Sequence, residues 1–237
     1  MNAQVQAILD LLRRVDEQRA QRAADPALQS RVQAVKHYQH ERFQHTYADL
    51  LAQPRYAKAT RFFLEELYGP MDFTRRDTQF KRVVPGLVRL FPREVVMTVR
   101  TLGELHALSE ELDTAMGHQV PAGAVDLTAY VHAWQAVGRP ADREAQILLM
   151  RRVADALDVY TRNPLLRHSL RLMRTPARLA GLPELQAFLE AGFDTFGAMH
   201  GAQEFLDTVV QRERALAAWL FAARVPPVEG GRFPVWA

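Results

Sequence analysis

No cysteine occurs among the 237 residues. That removes disulfide frameworks, thiolate nucleophiles, iron–sulfur clusters and cysteine-ligated zinc together. Lysine is scarce as well, with only Lys36, Lys58 and Lys81 beside 27 arginines, and the net formal charge is +3. The basic pI of 9.4 therefore reflects which base is used more than a large excess of base. Such a small excess argues against a whole-domain nucleic-acid binder. No stretch of about 18 uninterrupted apolar residues exists to span a bilayer. The opening MNAQVQAILDLLRRVDEQRA lacks a basic leader followed by an apolar run and reads as an amphipathic helix, so cytoplasmic residence is expected. Catalytic signatures are missing too. Glu-x-x-His, His-Glu-x-x-His, a P-loop, a dinucleotide fingerprint and a Gly-x-Ser-x-Gly elbow do not occur, so no metal and no cofactor is expected.

What is present is helical. Apolar residues are 48% of the chain and charged residues 24%, an ordinary globular balance. Val5, Ile8, Leu9, Leu12 and Val15 recur at helical spacing and predict a helix over about 3–23. Asp25-Pro26 supplies an N-cap and a first-turn proline for a second helix reaching about Ala52. Pro54 opens a third that Gly69-Pro70 stops. Thr74-x-x-Asp77 reads as a capping box for a helix to about Phe91, which Pro85 should kink or split. Pro92 starts another through Met116, closed by Gly117. After a linker at 117–124 and a corner at Gly138-Arg139-Pro140, helices follow at about 141–162, 165–174, 183–199 and 202–224. The expected fold class is all-α, a bundle of about eight to ten helices with no significant sheet. It forms one helical domain over 1–224, divisible at the linker into 1–117 and 125–224. A Pro/Gly-rich tail, 225–237, is either loose or pinned back by Phe233 and Trp236.

Helical phase separates two classes of polar residue. His37, Glu41 and His45 follow at i, i+4, i+8, a spacing that suits a metal, but they lie opposite the face marked by Leu28, Val32, Val35 and Phe43 and read as solvated. Gln39 and Arg42 fall on or beside the apolar face instead, and a buried arginine needs a carboxylate. The 93–116 helix offers candidates, because His106, Ser109 and Asp113 fall on or beside its inner phase, with Glu110 at the margin. Asp77 lies on the inner phase of the preceding helix. These groups read either as a buried network fixing helix register or as a polar pocket. In the pocket, His106 exchanges a proton and Asp113 or Asp77 orients it.

Charge is also segregated along the chain. Val159 to Pro183 holds five arginines and no acid; Glu184 to Gln211 holds five acids and no lysine or arginine. Arg167, Arg171, Arg174 and Arg178, spaced 4, 3, 4, would line one face of a continuous helix and could bind an anionic ligand or an acidic partner. The simpler expectation is that the acidic helix folds back and neutralises them. Leu185, Leu189, Gly192, Phe196 and Met199 form a heptad-like seam, for core packing or for a dimer.

The stretch Arg61-Phe-Phe-Leu-Glu-Glu-Leu-Tyr-Gly-Pro-Met-Asp-Phe-Thr-Arg-Arg-Asp77, followed by Leu105-His-Ala-Leu-Ser-Glu-Glu-Leu-Asp113, resembles an uncharacterised family of helical, mostly proteobacterial proteins over about residues 36–214. The resemblance implies a helical, cytoplasmic bacterial protein and carries no activity. The leading expectation is a non-enzymatic module that binds a protein partner, a second copy of itself or an anionic small ligand, with nucleic acid and membrane unexpected. The alternative is an enzyme or cofactor-binding bundle built on His106, Ser109, Asp113 and Asp77.

Overall fold

The computed structural model describes residues 2–67 and 73–224. The expected stop at Gly69-Pro70 and the 225–237 tail, with Phe233 and Trp236, lie outside the described residues. Within them the fold is all-α, with no strand. Helix α1 is Ala3–Ala24 and α2 is Pro26–Thr46, followed by the short α3, Ala48–Ala52, and α4, Ala57–Phe62, which runs into a π-helical turn at Phe63–Leu67. Next come α5, Thr74–Leu90; α6, Arg93–Gln119; α7, Leu127–Val137; and α8, Pro140–Thr161. The chain continues through α9, Pro164–Leu172; α10, Arg174–Leu179; α11, Pro183–Ala198; and α12, Gln203–Ala222.

Several boundaries follow local chemistry. Asp25 Oδ1 accepts from the amides of Ala27 and Leu28 at 3.0 Å, and Asn163 caps α9 through the amide of Leu165. At the α7–α8 corner, Gly138 and Arg139 both take positive φ, 62° and 61°. That conformation reverses the chain in two residues before Pro140 restarts a helix.

Other boundaries depart from sequence expectation. Helix α2 stops at Thr46, before Ala52, because the fully buried Tyr47 turns inward to donate its hydroxyl to Glu213 Oε1 at 2.7 Å. Pro54 belongs to a turn, and the helix starts at Ala57. The 63–67 segment winds as a π-turn next to three consecutive buried residues, Phe62, Phe63 and Leu64. Thr74 makes no capping box: Phe73 is the N-cap, and Asp77 is turned toward the interior. Helix α5 runs unbroken through Pro85, which lies on its exposed face. The single helix expected at 165–174 is two, broken at Met173.

Helix α6 is the spine. It packs against α1 and α2 on one side and α7 and α8 on another, so segments before and after the 120–126 connection share it. The largest apolar cluster joins Phe43, Tyr47, Phe63, Phe196 and Phe205. A second, around Val35, Met116, Tyr130 and Leu220, ties α2 and α6 to α7 and α12, and a third joins α1 to α5 and the start of α6 through Ile8, Val84 and Val96. Helix α5 leans chiefly on α1 and α11 and touches α6 only sparsely. That gap opens the interior.

Gly117 does not end α6; it lets α6 approach α2. A Cβ there would lie 2.4 Å from Val32 Cγ2 and 3.3 Å from the Val32 amide nitrogen. Gly117→Ala is therefore expected to cost about 1–3 kcal/mol in urea denaturation. Gly86→Ala, where a Cβ meets nothing within 4 Å, should raise stability by about 0.5–1 kcal/mol.

Candidate functional site

A cavity of about 220 Å³ lies along the inner side of α6, walled by α2, α5, α7, α8, α11 and α12. Its lining reaches from Val99 to Asp113 on α6, about 21 Å at 1.5 Å per residue. Polarity changes along that length. The end near the start of α6 is largely apolar, with Val83, Leu87, Val99, Leu102, Phe188 and the half-exposed Leu189, and with the Arg76–Glu66 pair as its charged part. Asp77, His106 and Ser109 occupy the middle. The far end is walled by Gln39, Arg42, Asp113, Tyr130, Trp134 and Glu213, with Leu216, Ala217 and Leu220 of α12 beside them.

All six residues that phase turns inward line this one cavity: Gln39, Arg42, Asp77, His106, Ser109 and Asp113. Their bonds run between helices. Asp77 Oδ2 lies 2.8 Å from His106 Nε2 and accepts from Arg19 at 2.7 Å. Burial raises the Asp77 carboxyl, but His106 and Arg19 outweigh it and hold it below its ordinary value. With its proton on Nε2, His106 donates to Asp77. Gln146 donates to Ser109 Oγ at 2.8 Å, and Gln39 donates to Asp113 Oδ1 at 3.2 Å.

Arg42 does not find its carboxylate on α6. Its partner is Glu213 on α12, met by two guanidinium nitrogens at 2.6 and 3.3 Å. Burial disfavours the Arg42 charge, and Glu213 more than restores it. The carboxylate that α6 does supply is Glu110, which burial hides more than phase suggests. Arg22 and Lys36 both bond it, Lys36 at 2.8 Å, and Arg22 also donates to Thr114. Desolvation alone would raise the Glu110 carboxyl, yet these cations hold it at about 2. Asp113 behaves differently. Burial pushes its carboxyl up, against the pull of Lys36 at 3.6 Å. At the other end of the cavity Arg76 is bonded to Glu66 at 2.9 Å and held between the rings of Phe73 and Phe188, centroids 4.0 and 4.3 Å away.

Sequence reasoning missed Arg19, Arg22, Arg143, Trp134 and Glu213. The signal was available for most of them. Glu213 falls between Val209, Val210 and Leu216 on the buried phase of α12, Arg143 precedes Ile147 and Met150 on that of α8, and Arg19 and Arg22 continue Val5–Ile8–Leu12–Val15.

The arginine stripe is placed elsewhere. With α9 and α10 broken at Met173, the four side chains share no continuous face. Arg167 bonds Asp194 at 2.6 Å and Arg174 grips Glu190 on the folded-back α11, whereas Arg171 and Arg178 are exposed. The other acids also have partners: Glu184 meets Gln79, Glu204 meets Arg55 and Tyr56, and Asp207 meets Arg151. In the heptad-like seam Leu185, Phe196 and Met199 are buried within the chain, and Gly192 packs on Phe62. His37, Glu41 and His45 are exposed.

Two measurements follow from these pairs. Arg42→Ala leaves the Glu213 carboxylate buried without its cation and is expected to cost about 3–5 kcal/mol, most of it recovered in Arg42→Met/Glu213→Leu. In acid denaturation, the depressed Glu110 contributes stability that is whole above about pH 4.5 and drains away as pH falls toward about 2. Glu110→Gln should flatten that part of the profile.

Among the described residues no helix is long and apolar enough to cross a membrane, and no group of three or more His, Asp or Glu could hold a metal ion. No curated protein and no solved structure matches the chain. Residues 18–227 match the family described as Domain of unknown function (DUF8198), a wider span than the resemblance at 36–214, and the chain belongs to that family.

Proposed function

We propose that this protein is a cytoplasmic, non-enzymatic binding protein that holds a small elongated molecule inside its helical bundle. The observation carrying this reading is the cavity along α6, about 220 Å³ with a largely apolar end and a polar end. An engineered apolar cavity of about 150 Å³ accepts benzene, so this space suits a ligand of about nine heavy atoms. Pockets that combine apolar walls with a few convergent polar groups are the usual small-molecule sites. A ligand is favoured over a protein partner because the features that suggested a partner are used within the chain: Arg167 and Arg174 are paired with α11, and most of the α11 seam is core.

One observation favours a second reading, an enzyme. His106 and Asp77 stand 2.8 Å apart in the cavity wall, three residues from Ser109. Recovery of a chemically altered ligand from the wild type, but not from His106→Asn, would select it.

The binding reading is tested by titrating indole, a neutral molecule of about the nine heavy atoms the space admits, into the protein in a calorimeter. Saturable binding is expected, weakened about tenfold or more by Leu102→Trp, which fills the apolar end. Val99→Phe serves as a second filling variant should the first fail to fold. Absence of saturable binding, or binding indifferent to both variants, overturns it.

A further inference from the structure

Resting on the binding reading above, we infer that the ligand is an amphipathic acid whose anionic head lies among Gln39, Arg42, Tyr130 and Trp134, with its apolar body directed toward Val99, Leu102 and Phe188. The polarity of the wall sets the orientation. Running back along α6 from Asp113 to Val99, the cavity-facing residues of that helix pass from Asp113, Glu110, Ser109 and His106 to Leu102 and Val99, and the Arg76–Glu66 pair beside Phe188 is already bonded to itself. A ligand with one polar end therefore places its head at the Asp113 end, where donors of Arg42 and Trp134 lack acceptors.

The head must accept hydrogen bonds. Trp134 and Arg42 line the far end and are 8% and 6% exposed, and neither the Trp134 indole Nε1–H nor the Arg42 Nε–H has an acceptor in the protein. Indole and guanidinium N–H groups only donate. Buried donors without acceptors cost free energy that a suitably placed oxygen returns. Both are donors, and a ligand ammonium has nothing to offer them.

The sign of charge agrees. Counting the groups at this end with their partners, Arg22, Lys36, Arg42 and Arg143 stand against Glu110, Asp113 and Glu213. Burial pushes the Asp113 carboxyl up, which lessens the negative charge at this end. The Arg143 guanidinium also lies over the Trp134 ring, 3.8 Å from its centroid, adding positive potential beside the indole. A monoanion therefore suits the electrostatics of this end, and a carboxylate supplies acceptor lone pairs in a compact head.

The experiment is calorimetric competition against bound indole by three chains of equal length: octanoate, octanol and octylammonium. Octanoate is expected to displace the probe about tenfold more tightly than either of the others. In Trp134→Phe that advantage, read as the ratio of octanoate to octanol affinity in the same folded variant, should shrink by about tenfold, whereas the smaller ring and the lost Arg143–indole contact lower the melting temperature without favouring either ligand. Arg42→Lys keeps a cation opposite Glu213 but removes Nε, and gives the same readout if Trp134→Phe does not fold. Octanol or octylammonium matching octanoate, or an octanoate advantage untouched by the folded variant, overturns the acid assignment and leaves the binding reading standing. Failure of the probe itself to bind, or probe binding unchanged by Leu102→Trp and Val99→Phe, overturns both.

Discussion

Charge taken out of water has to be answered by charge or by hydrogen bonds, and around α6 that demand recurs at every turn. Glu110 is answered by Arg22 from α1 and Lys36 from α2, His106 by Asp77 from α5, Ser109 by Gln146 from α8, and Asp113 by Gln39 from α2. One turn of slippage along any of these helices would strand a buried ion at a cost of several kcal/mol. The same logic fixes α12, whose Glu213 accepts from Arg42 and Tyr47 together. The helices could pack through leucine and phenylalanine in many registers; the polar contacts leave one. A net of this kind is a poor source of stability, because apolar residues of similar volume serve as well or better. It holds side chains at defined places around a space.

How much of this is legible in the sequence depends on whether the deciding force is local. Periodicity finds the long helices because a buried stripe repeats along each. It also turns six polar residues inward on three helices, and those six line the cavity. It cannot say which helix answers which, so Arg42 was matched to α6 when its carboxylate sits on α12, 171 residues away. Glu213, Arg143, Arg19 and Arg22 obey the same phase rule on α12, α8 and α1. Trp134 is a different case: nothing in a sequence shows that an indole N–H lacks an acceptor.

Local signals failed where a tertiary contact outbid them. Thr74-x-x-Asp77 has the spacing of a capping box, but Asp77 gains more from Arg19 and His106 than from amides at its own helix end. Gly117 looks like a stop and acts as a notch for Val32. Tyr47 ends a helix that its neighbours would continue, because its hydroxyl completes the Arg42–Glu213 pair. The arginine stripe failed for the opposite reason. Its 4, 3, 4 spacing assumes a continuous helix, and the break at Met173 removes the common face before any question of binding arises.

The interior space itself has a thermodynamic weight. At about 24 cal/mol per Å³ of cavity, a void of about 220 Å³ corresponds to about 5 kcal/mol of forgone packing if it stays dry. That is comparable with the whole net stability of many domains, about 5–15 kcal/mol. Water among the polar groups lessens the loss at one end, but gains little beside Val99, Leu102 and Phe188, where it finds no partners. Larger side chains at Ser109 or Val99 would fill part of the gap. Small residues facing a half-apolar hole, with two buried donors left without acceptors at its polar end, are costs that packing alone does not explain and that an occupant with a carbon body and an oxygen head would offset together.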